Sequence, residues 1–165
     1  MPQQTAEIPV EIYRARIAKL QDAMREFGLR AVVMESGPAM MYLTGVRWGR
    51  SERTFAVVIT QTGDPAWVLP GFEEMRAREL IKVGDDLRVW QEDESPYQRI
   101  AGILKDRGVA LGRVGIEESV RFFVYDGVRQ SSPQATKLEY VSAQPALRAA
   151  GVDLTQPAGR GGRKQ

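Results

Sequence analysis

Two kinds of apolar pattern alternate along this chain, and each is typical of a different secondary structure. From Val10 to Phe27, apolar side chains recur every three or four residues with charged ones between them, which predicts an amphipathic helix that Gly28 ends. Directly afterwards, residues 31–34 form a short apolar run, as in a strand that is buried on both faces. A helix followed at once by a buried strand predicts a layered α/β domain.

The same alternation continues through most of the chain. Further strands are predicted at residues 55–60, 66–69, 87–90, 113–117 and 138–141, and further helices at residues 39–43, 72–81, 96–105 and 120–130. Turn residues at 62–65 join two of these strands into a β-hairpin. Ser95 followed by Pro96 is typical of a helix start. The sequence therefore predicts a mixed sheet flanked by helices.

The predicted domain spans residues 10–148, between a flexible N-terminus (1–9) and a flexible basic tail (149–165). Of the formal net charge of +2, residues 143–165 contribute +3, which leaves −1 on the rest of the chain. A body with that charge is a poor partner for nucleic acid or anionic lipid. No apolar run reaches the roughly 18 residues that cross a membrane. We therefore expect a cytoplasmic protein without nucleic-acid or membrane partners.

Two absences exclude whole classes of chemistry from this polypeptide. The sequence contains no histidine and no cysteine. Without histidine there is no Ser-His-Asp or Cys-His machinery and no His-containing metal site. Without cysteine there is no thiolate nucleophile, iron–sulfur cluster or disulfide. This chain by itself therefore lacks the groups that most common hydrolytic mechanisms use.

Carboxylates at predicted strand ends are the first candidates for chemistry. Glu35 and Glu117 lie near the carboxyl ends of strands, where open α/β sheets often bind ligands. One hypothesis is therefore a small-molecule or nucleotide enzyme that uses these two acids, with or without a divalent cation. The alternative, which the sequence favours, is that they are solvated loop acids. The glycine pattern of a dinucleotide fold does not follow the first strand.

The densest group of binding-type residues is the loop at residues 47–53, directly before a predicted strand. It contains Arg47, Trp48, Arg50 and Arg53, so three guanidinium groups and an indole lie within seven residues. Such a loop can clamp a carboxylate or stack on a ligand. A solvated loop stabilised by salt bridges explains the same composition equally well.

Four segments together resemble a known family. Tyr42-Leu43-Thr44-Gly45 follows a helix and a Gly-Leu-x-Ala-Val-Val strand at residues 28–33 and precedes the hairpin. With the runs at residues 50–54 and 90–96, this order is similar to the N-terminal domain of the creatinase/prolidase/aminopeptidase P family, and to bacterial Xaa-Pro peptidases in particular. The resemblance covers roughly residues 10–148.

This resemblance implies an α/β, RNase H-like mixed sheet without nuclease activity, since fold does not determine function. In the family, a C-terminal pita-bread domain holds two divalent metals, manganese or similar, through Asp, Asp, His, Glu and Glu. That domain is not found in this sequence, so no catalytic residue, metal ligand or cofactor is expected here. The resemblance implies a non-catalytic domain that serves oligomerisation, as a dimer for example, and caps a metallopeptidase active site.

The capping role implies which residues meet substrate. By position, the loop after Gly45 is the one concerned, so Trp48, Arg50 and Arg53 are candidates for substrate contacts in trans. The expected partners are a second copy or a pita-bread catalytic domain, and peptide substrates are reached only through that partner. An alternative is a free-standing binding or regulatory module that associates with a full-length homologue. A natural short protein, a frameshift product and a cut chain all fit this sequence.

Overall fold

The structure of this protein is a computed structural model that describes residues 7–132 and 137–152. Its strands are β1 (Leu29–Glu35), β2 (Ala56–Thr60), β3 (Ala66–Pro70), β4 (Asp86–Trp90), β5 (Leu111–Ile116) and β6 (Lys137–Ser142). Its helices are α1 (Val10–Phe27), α2 (Pro38–Thr44), α3 (Glu74–Leu80), α4 (Pro96–Asp106), α5 (Phe122–Ser131) and α6 (Gln144–Ala149). A 3₁₀ turn at Gly71–Glu73 precedes α3.

The six strands form one mixed sheet in the order β4-β3-β2-β1-β5-β6. β2 runs antiparallel to β1 and β3, whereas β3–β4, β1–β5 and β5–β6 are parallel pairs. Five strands therefore end at the same side of the sheet, and the chain also enters β2 from that side. We call this side the carboxyl edge; it lies at Glu35, Pro70, Trp90, Ile116 and Ser142. The predicted mixed sheet and the β2–β3 hairpin are confirmed.

The sheet separates two apolar layers. Helices α1, α2, α3 and α6 cover one face, and α4 and α5 cover the other. Successive side chains of a strand point to opposite faces. In β2 and β3 the larger ones (Val57, Ile59, Trp67 and Leu69) enter the first layer, and the smaller ones (Ala56, Val58, Ala66 and Val68) enter the second. Burial on both faces explains why these strands are continuously apolar in sequence.

The Tyr-Leu-Thr-Gly segment ends α2 and packs against α1. Gly45 takes the left-handed conformation at φ 81°, and a Cβ there would lie 2.7 Å from the ring of Tyr13. The side chain of Thr44 bonds to the backbone on both sides of the helix end. Arg16 of α1 stacks on the ring of Tyr42, 4.1 Å from its centroid, and donates to its carbonyl. The segment therefore has a structural role in this domain.

Local predictions agree best with the structure. The α1 bounds match the prediction, and the Ser95 hydroxyl accepts from the backbone N–H of Gln98 at 3.2 Å, as expected for a helix cap. The segment predicted as one helix over residues 72–81 divides into the 3₁₀ turn and α3. Among the described residues, none of the helices combines the length and apolarity needed to cross a bilayer.

The predicted flexible tail begins too early. Helix α6 was not predicted; it has Pro145 in its first turn, where a proline is well tolerated. Beyond the helix, Ala150 and Val152 are buried in the layer that contains α1, so the packed chain continues at least to Val152. The rest of the predicted tail (153–165) and most of the predicted N-terminal segment (1–6) lie outside the described residues.

Candidate functional site

The carboxyl edge holds every side chain that the sequence singled out for chemistry. The loop of residues 45–55 connects α2 to β2 along this edge and contains Trp48, Arg50 and Arg53. Glu35 is the last residue of β1, and Glu117 follows β5, the parallel neighbour of β1. These residues share one edge because the strands on which they lie end there. They do not form one pocket.

The prediction that Glu35 and Glu117 are solvated loop acids is wrong, since both are buried. Glu35 is part of an internal ion pair. The residue is only 1% exposed, and its carboxylate accepts hydrogen bonds from the backbone N–H and the guanidinium of Arg121, the former at 2.8 Å. The hydrogen bond to Glu35 is the main cause that raises the pKa of Arg121 above its usual range. Both carboxylate oxygens of Glu35 are therefore engaged within the domain. Because the loss of either partner would leave a buried charge uncompensated, Glu35 and Arg121 depend on each other in the folded protein.

Arg50 closes the crevice between the ends of β1 and β5. Its Nε and Nη2 donate to the carbonyl oxygen of Ser36 at 3.2 and 2.7 Å, and its Nη1 donates to the carbonyl oxygen of Ser119 at 2.6 Å. A further bond joins Nη2 to the Ser119 hydroxyl at 3.2 Å. In open α/β sheets this crevice, where the strand order reverses, is the usual ligand site. Here a side chain of the protein fills it.

Glu117 is the second buried carboxylate of this edge, at 3% exposure. It accepts hydrogen bonds from the backbone N–H and the hydroxyl of Ser119. No group of three or more His, Cys, Asp or Glu side chains in residues 7–132 and 137–152 is placed to hold a metal ion. With Glu35 paired to Arg121 and no histidine in the sequence, these donors do not fit the family's two-metal site.

Trp48 and Arg53 have different neighbours from Arg50. Trp48 is 9% exposed, and its ring stacks on Phe55 with 4.2 Å between centroids. The guanidinium of Arg76 lies 4.8 Å above the same indole. Arg53 donates to Glu92 at 2.8 Å in an exposed ion pair. The structure therefore does not bring the three predicted substrate-contact residues together as a clamp.

Sequence reasoning missed an exposed apolar pair beside Arg53. Phe72 is 83% exposed and Met75 is 80% exposed, and the Arg53 guanidinium lies 5.6 Å from the Phe72 ring centroid. The pair follows β3 at the carboxyl edge. The spacing of these residues contained a signal. Phe72 and Met75 are three positions apart, so they share one side of a helix. Ala77, two positions after Met75, lies on the opposite side and is buried, so Met75 faces solvent.

Comparison with known proteins identifies relatives of this fold. The family model for the creatinase/prolidase N-terminal domain matches residues 16–150. An uncharacterized peptidase of Schizosaccharomyces pombe is 32% identical over 143 residues, which cover 78% of this chain and 31% of that protein. The chain thus spans about a third of the length of this curated relative.

Solved structures match the same architecture. Dipeptidase PepE from Mycobacterium ulcerans aligns with a TM-score of 0.70 at 24% identity, over 94% of this chain and 40% of that one. The creatinase/prolidase N-terminal domain of an X-Pro dipeptidase from Streptococcus pyogenes aligns with a TM-score of 0.64 at 15% identity, over 81% of this chain and 97% of that domain. At these identities the likeness shows the fold alone.

Proposed function

Because this chain belongs to the creatinase/prolidase N-terminal domain family, we propose that it is the non-catalytic N-terminal domain of an Xaa-Pro dipeptidase-like protein. In this role it docks onto a pita-bread catalytic domain, caps that domain's active site and serves the assembly of a dimer. The divalent metals, manganese or similar, belong to the catalytic domain. Their ligands are supplied there, since the carboxylates described above are engaged within this domain.

The observation that carries this proposal is the exposed pair Phe72 and Met75. We define the docking face as these two residues together with Arg53 and Arg76. Exposed apolar groups rimmed by charged ones are typical of interaction surfaces, and aromatic, Met and Arg side chains are enriched in interfaces. The face lies on the same edge as the loop of residues 45–55, so a partner that covers it also meets that loop.

The lengths of the relatives support a catalytic domain as the partner. This chain covers 40% of the M. ulcerans dipeptidase, so more than half of that protein lies outside the shared fold. Within the loop, the covered Trp48 and the hydrogen-bonded Arg50 hold the backbone in place. Arg53 extends toward solvent with 39% of its side chain exposed. In this proposal Arg53 is the residue that reaches the substrate end in trans, positioned by the other two.

A chimera tests the docking role. In it, this chain replaces the matching N-terminal part of the M. ulcerans dipeptidase, and hydrolysis of a dipeptide with C-terminal proline is measured. The double variant Phe72→Ser/Met75→Ser is expected to lower kcat/KM at least about tenfold, because it removes the apolar contact. Leu111→Ser changes an exposed apolar residue at the amino-terminal end of β5 (60% exposed), away from the carboxyl edge, and is expected to leave the rate unchanged. A folded double variant with full activity would contradict the proposal.

The non-catalytic role has its own test. The purified chain is incubated with Xaa-Pro dipeptides and Mn²⁺, Co²⁺ or Zn²⁺, and product is measured by mass spectrometry. We expect no hydrolysis above a protein-free control, because the chain has no histidine and its two buried edge carboxylates are engaged. Metal-dependent cleavage that co-purifies with the chain and is lost in Glu117→Gln would overturn this role.

A further inference from the structure

A groove at the far end of the carboxyl edge is separate from the docking face. It lies where β5 and β6 end, beside the start of α5, and has a volume of about 330 Å³. That volume is at the lower end of the range for small-molecule pockets and suits a single side chain. The groove is open on one side, and its walls come from β5, β6, α5 and the segment between β5 and α5.

Aromatic rings form one wall of the groove. Tyr125 lies between Phe122 and Tyr140, with centroid distances of 5.8 Å to the former and 5.6 Å to the latter. Burial is the main cause that raises the pKa of the Tyr140 phenol, whose hydroxyl shares a hydrogen bond with Ser132. The phenol is therefore uncharged near neutral pH. This wall offers flat apolar faces, and Phe122 extends it into solvent with 73% of the residue exposed.

Two acidic residues also belong to the lining of the groove. Glu117 and Glu118 both line the groove. Glu117 is held by the Ser119 hydroxyl and N–H, and Glu118 accepts from the Ser142 hydroxyl at 2.6 Å. In the described part of the chain neither forms an ion pair. Glu35, the other buried acid of this edge, is in contrast neutralised by Arg121. The groove is thus lined by two acidic residues that make no direct ion pair; Arg50 reaches Glu117 only through the Ser119 hydroxyl.

From this combination we infer that the groove binds an arginine side chain of a partner polypeptide. A guanidinium ion is planar, stacks on aromatic faces and donates to carboxylates in a fork, so it satisfies the aromatic rings and the acids at once. The aliphatic part of the side chain packs against apolar surface while its charged end reaches the acids. The exposed ring of Phe122 would cover the backbone of the partner beside the arginine.

Nuclear magnetic resonance titration tests this inference on the full chain labelled with ¹⁵N. The probe is N-acetyl-arginine amide, and the matched control is N-acetyl-citrulline amide, which has the same shape without the charge. Ionic strength is held constant with NaCl. We expect saturable amide shifts at Glu118, Ser119 and Ser142 with a Kd of about 1–10 mM, and binding of the citrulline probe at least about tenfold weaker. N-acetyl-lysine amide is expected to bind more weakly than arginine, because it does not stack.

Variants localise the binding. Glu118→Gln is expected to weaken arginine binding by about fivefold or more, and Tyr125→Leu by about threefold. Glu139→Gln changes an exposed acid of β6 outside the groove and is expected to have no effect. The inference is overturned if no shift saturates up to about 50 mM probe, if citrulline binds equally, or if Glu118→Gln binds as the wild type does. Since no docking partner is used, this result is independent of the chimera.

Discussion

The two halves of the carboxyl edge use their side chains in opposite ways. Between β1 and β5, charged residues are turned inward: Glu35 pairs with Arg121, and Arg50 bonds to the loops that follow both strands. Beside β3 and β4, apolar residues are turned outward, with Phe72 and Met75 in solvent. The half between β1 and β5 is thus closed by internal contacts, and the half beside β3 and β4 contains the docking face that we propose for a partner.

Energetics explain this contrast. A carboxylate is buried only where a cation or several donors compensate its lost hydration, so inward charges stabilise each other and have little left for a ligand. Apolar surface gains about 25 cal/mol for each Å² removed from water, so an exposed apolar pair gains from a partner that covers it. Accordingly, the charged groups between β1 and β5 serve internal structure, and the exposed apolar pair beside β3 is the surface that we propose a partner covers.

The contrast between the two halves is tested first at Arg121, where we expect the largest change in the free energy of unfolding. Arg121→Leu leaves the carboxylate of Glu35 buried without its cation, and we expect the free energy of unfolding to fall by about 3–5 kcal/mol. Urea denaturation followed by circular dichroism measures it. The matched control is Arg53→Leu, whose partner Glu92 is 70% exposed, and there we expect little or no change in the free energy of unfolding, because water screens an exposed ion pair. Equal losses in both variants would show that the two halves do not differ.

Substitution of Arg50 is expected to cause an intermediate loss in the free energy of unfolding. Arg50→Ala removes the hydrogen bonds that close the crevice, which lowers the free energy of unfolding by about 1.5–3 kcal/mol. The loop of residues 45–55 then opens locally, and amide hydrogen exchange across it should accelerate relative to α1. Unchanged exchange in the loop would mean that the stacked Trp48 and Phe55 suffice to hold it, and that the crevice is not closed by Arg50.

The smallest effect concerns Asp86, at the opposite edge of the sheet. A hydrogen bond from Arg88 is the main cause that lowers the pKa of Asp86 below its ordinary value of 3.8. A carboxyl group with a lowered folded-state pKa stabilises the fold above its ordinary pKa and loses that contribution as the pH falls through the folded-state value. The stability difference between wild type and Asp86→Asn should therefore be constant near neutral pH and disappear in acid. A difference that is the same at pH 2 and pH 7 would contradict this.

The fold could be predicted from the sequence wherever contacts are local. The period of α1, the hairpin turn and the Ser95 cap all depend on residues within a few positions of each other, and all agree with the structure. Predicted strand ends also placed Glu35 and Glu117 correctly near the end of a parallel pair. The helix at residues 144–149 was missed; it is only six residues long, too short for a clear apolar period, and it packs against the layer that contains α1.

The sequence by itself determined the order of elements and the α/β class. It also excluded chemistry that needs histidine or cysteine, since the chain contains neither. Only the tertiary structure decided what each charged residue contacts. Glu35 and Arg121 are 86 positions apart, and Arg50 and Ser119 are 69 apart, so no local pattern indicates that they meet. Periodicity reports which side of an element is apolar, whereas the pairing of charges depends on how distant elements are brought together in the sheet.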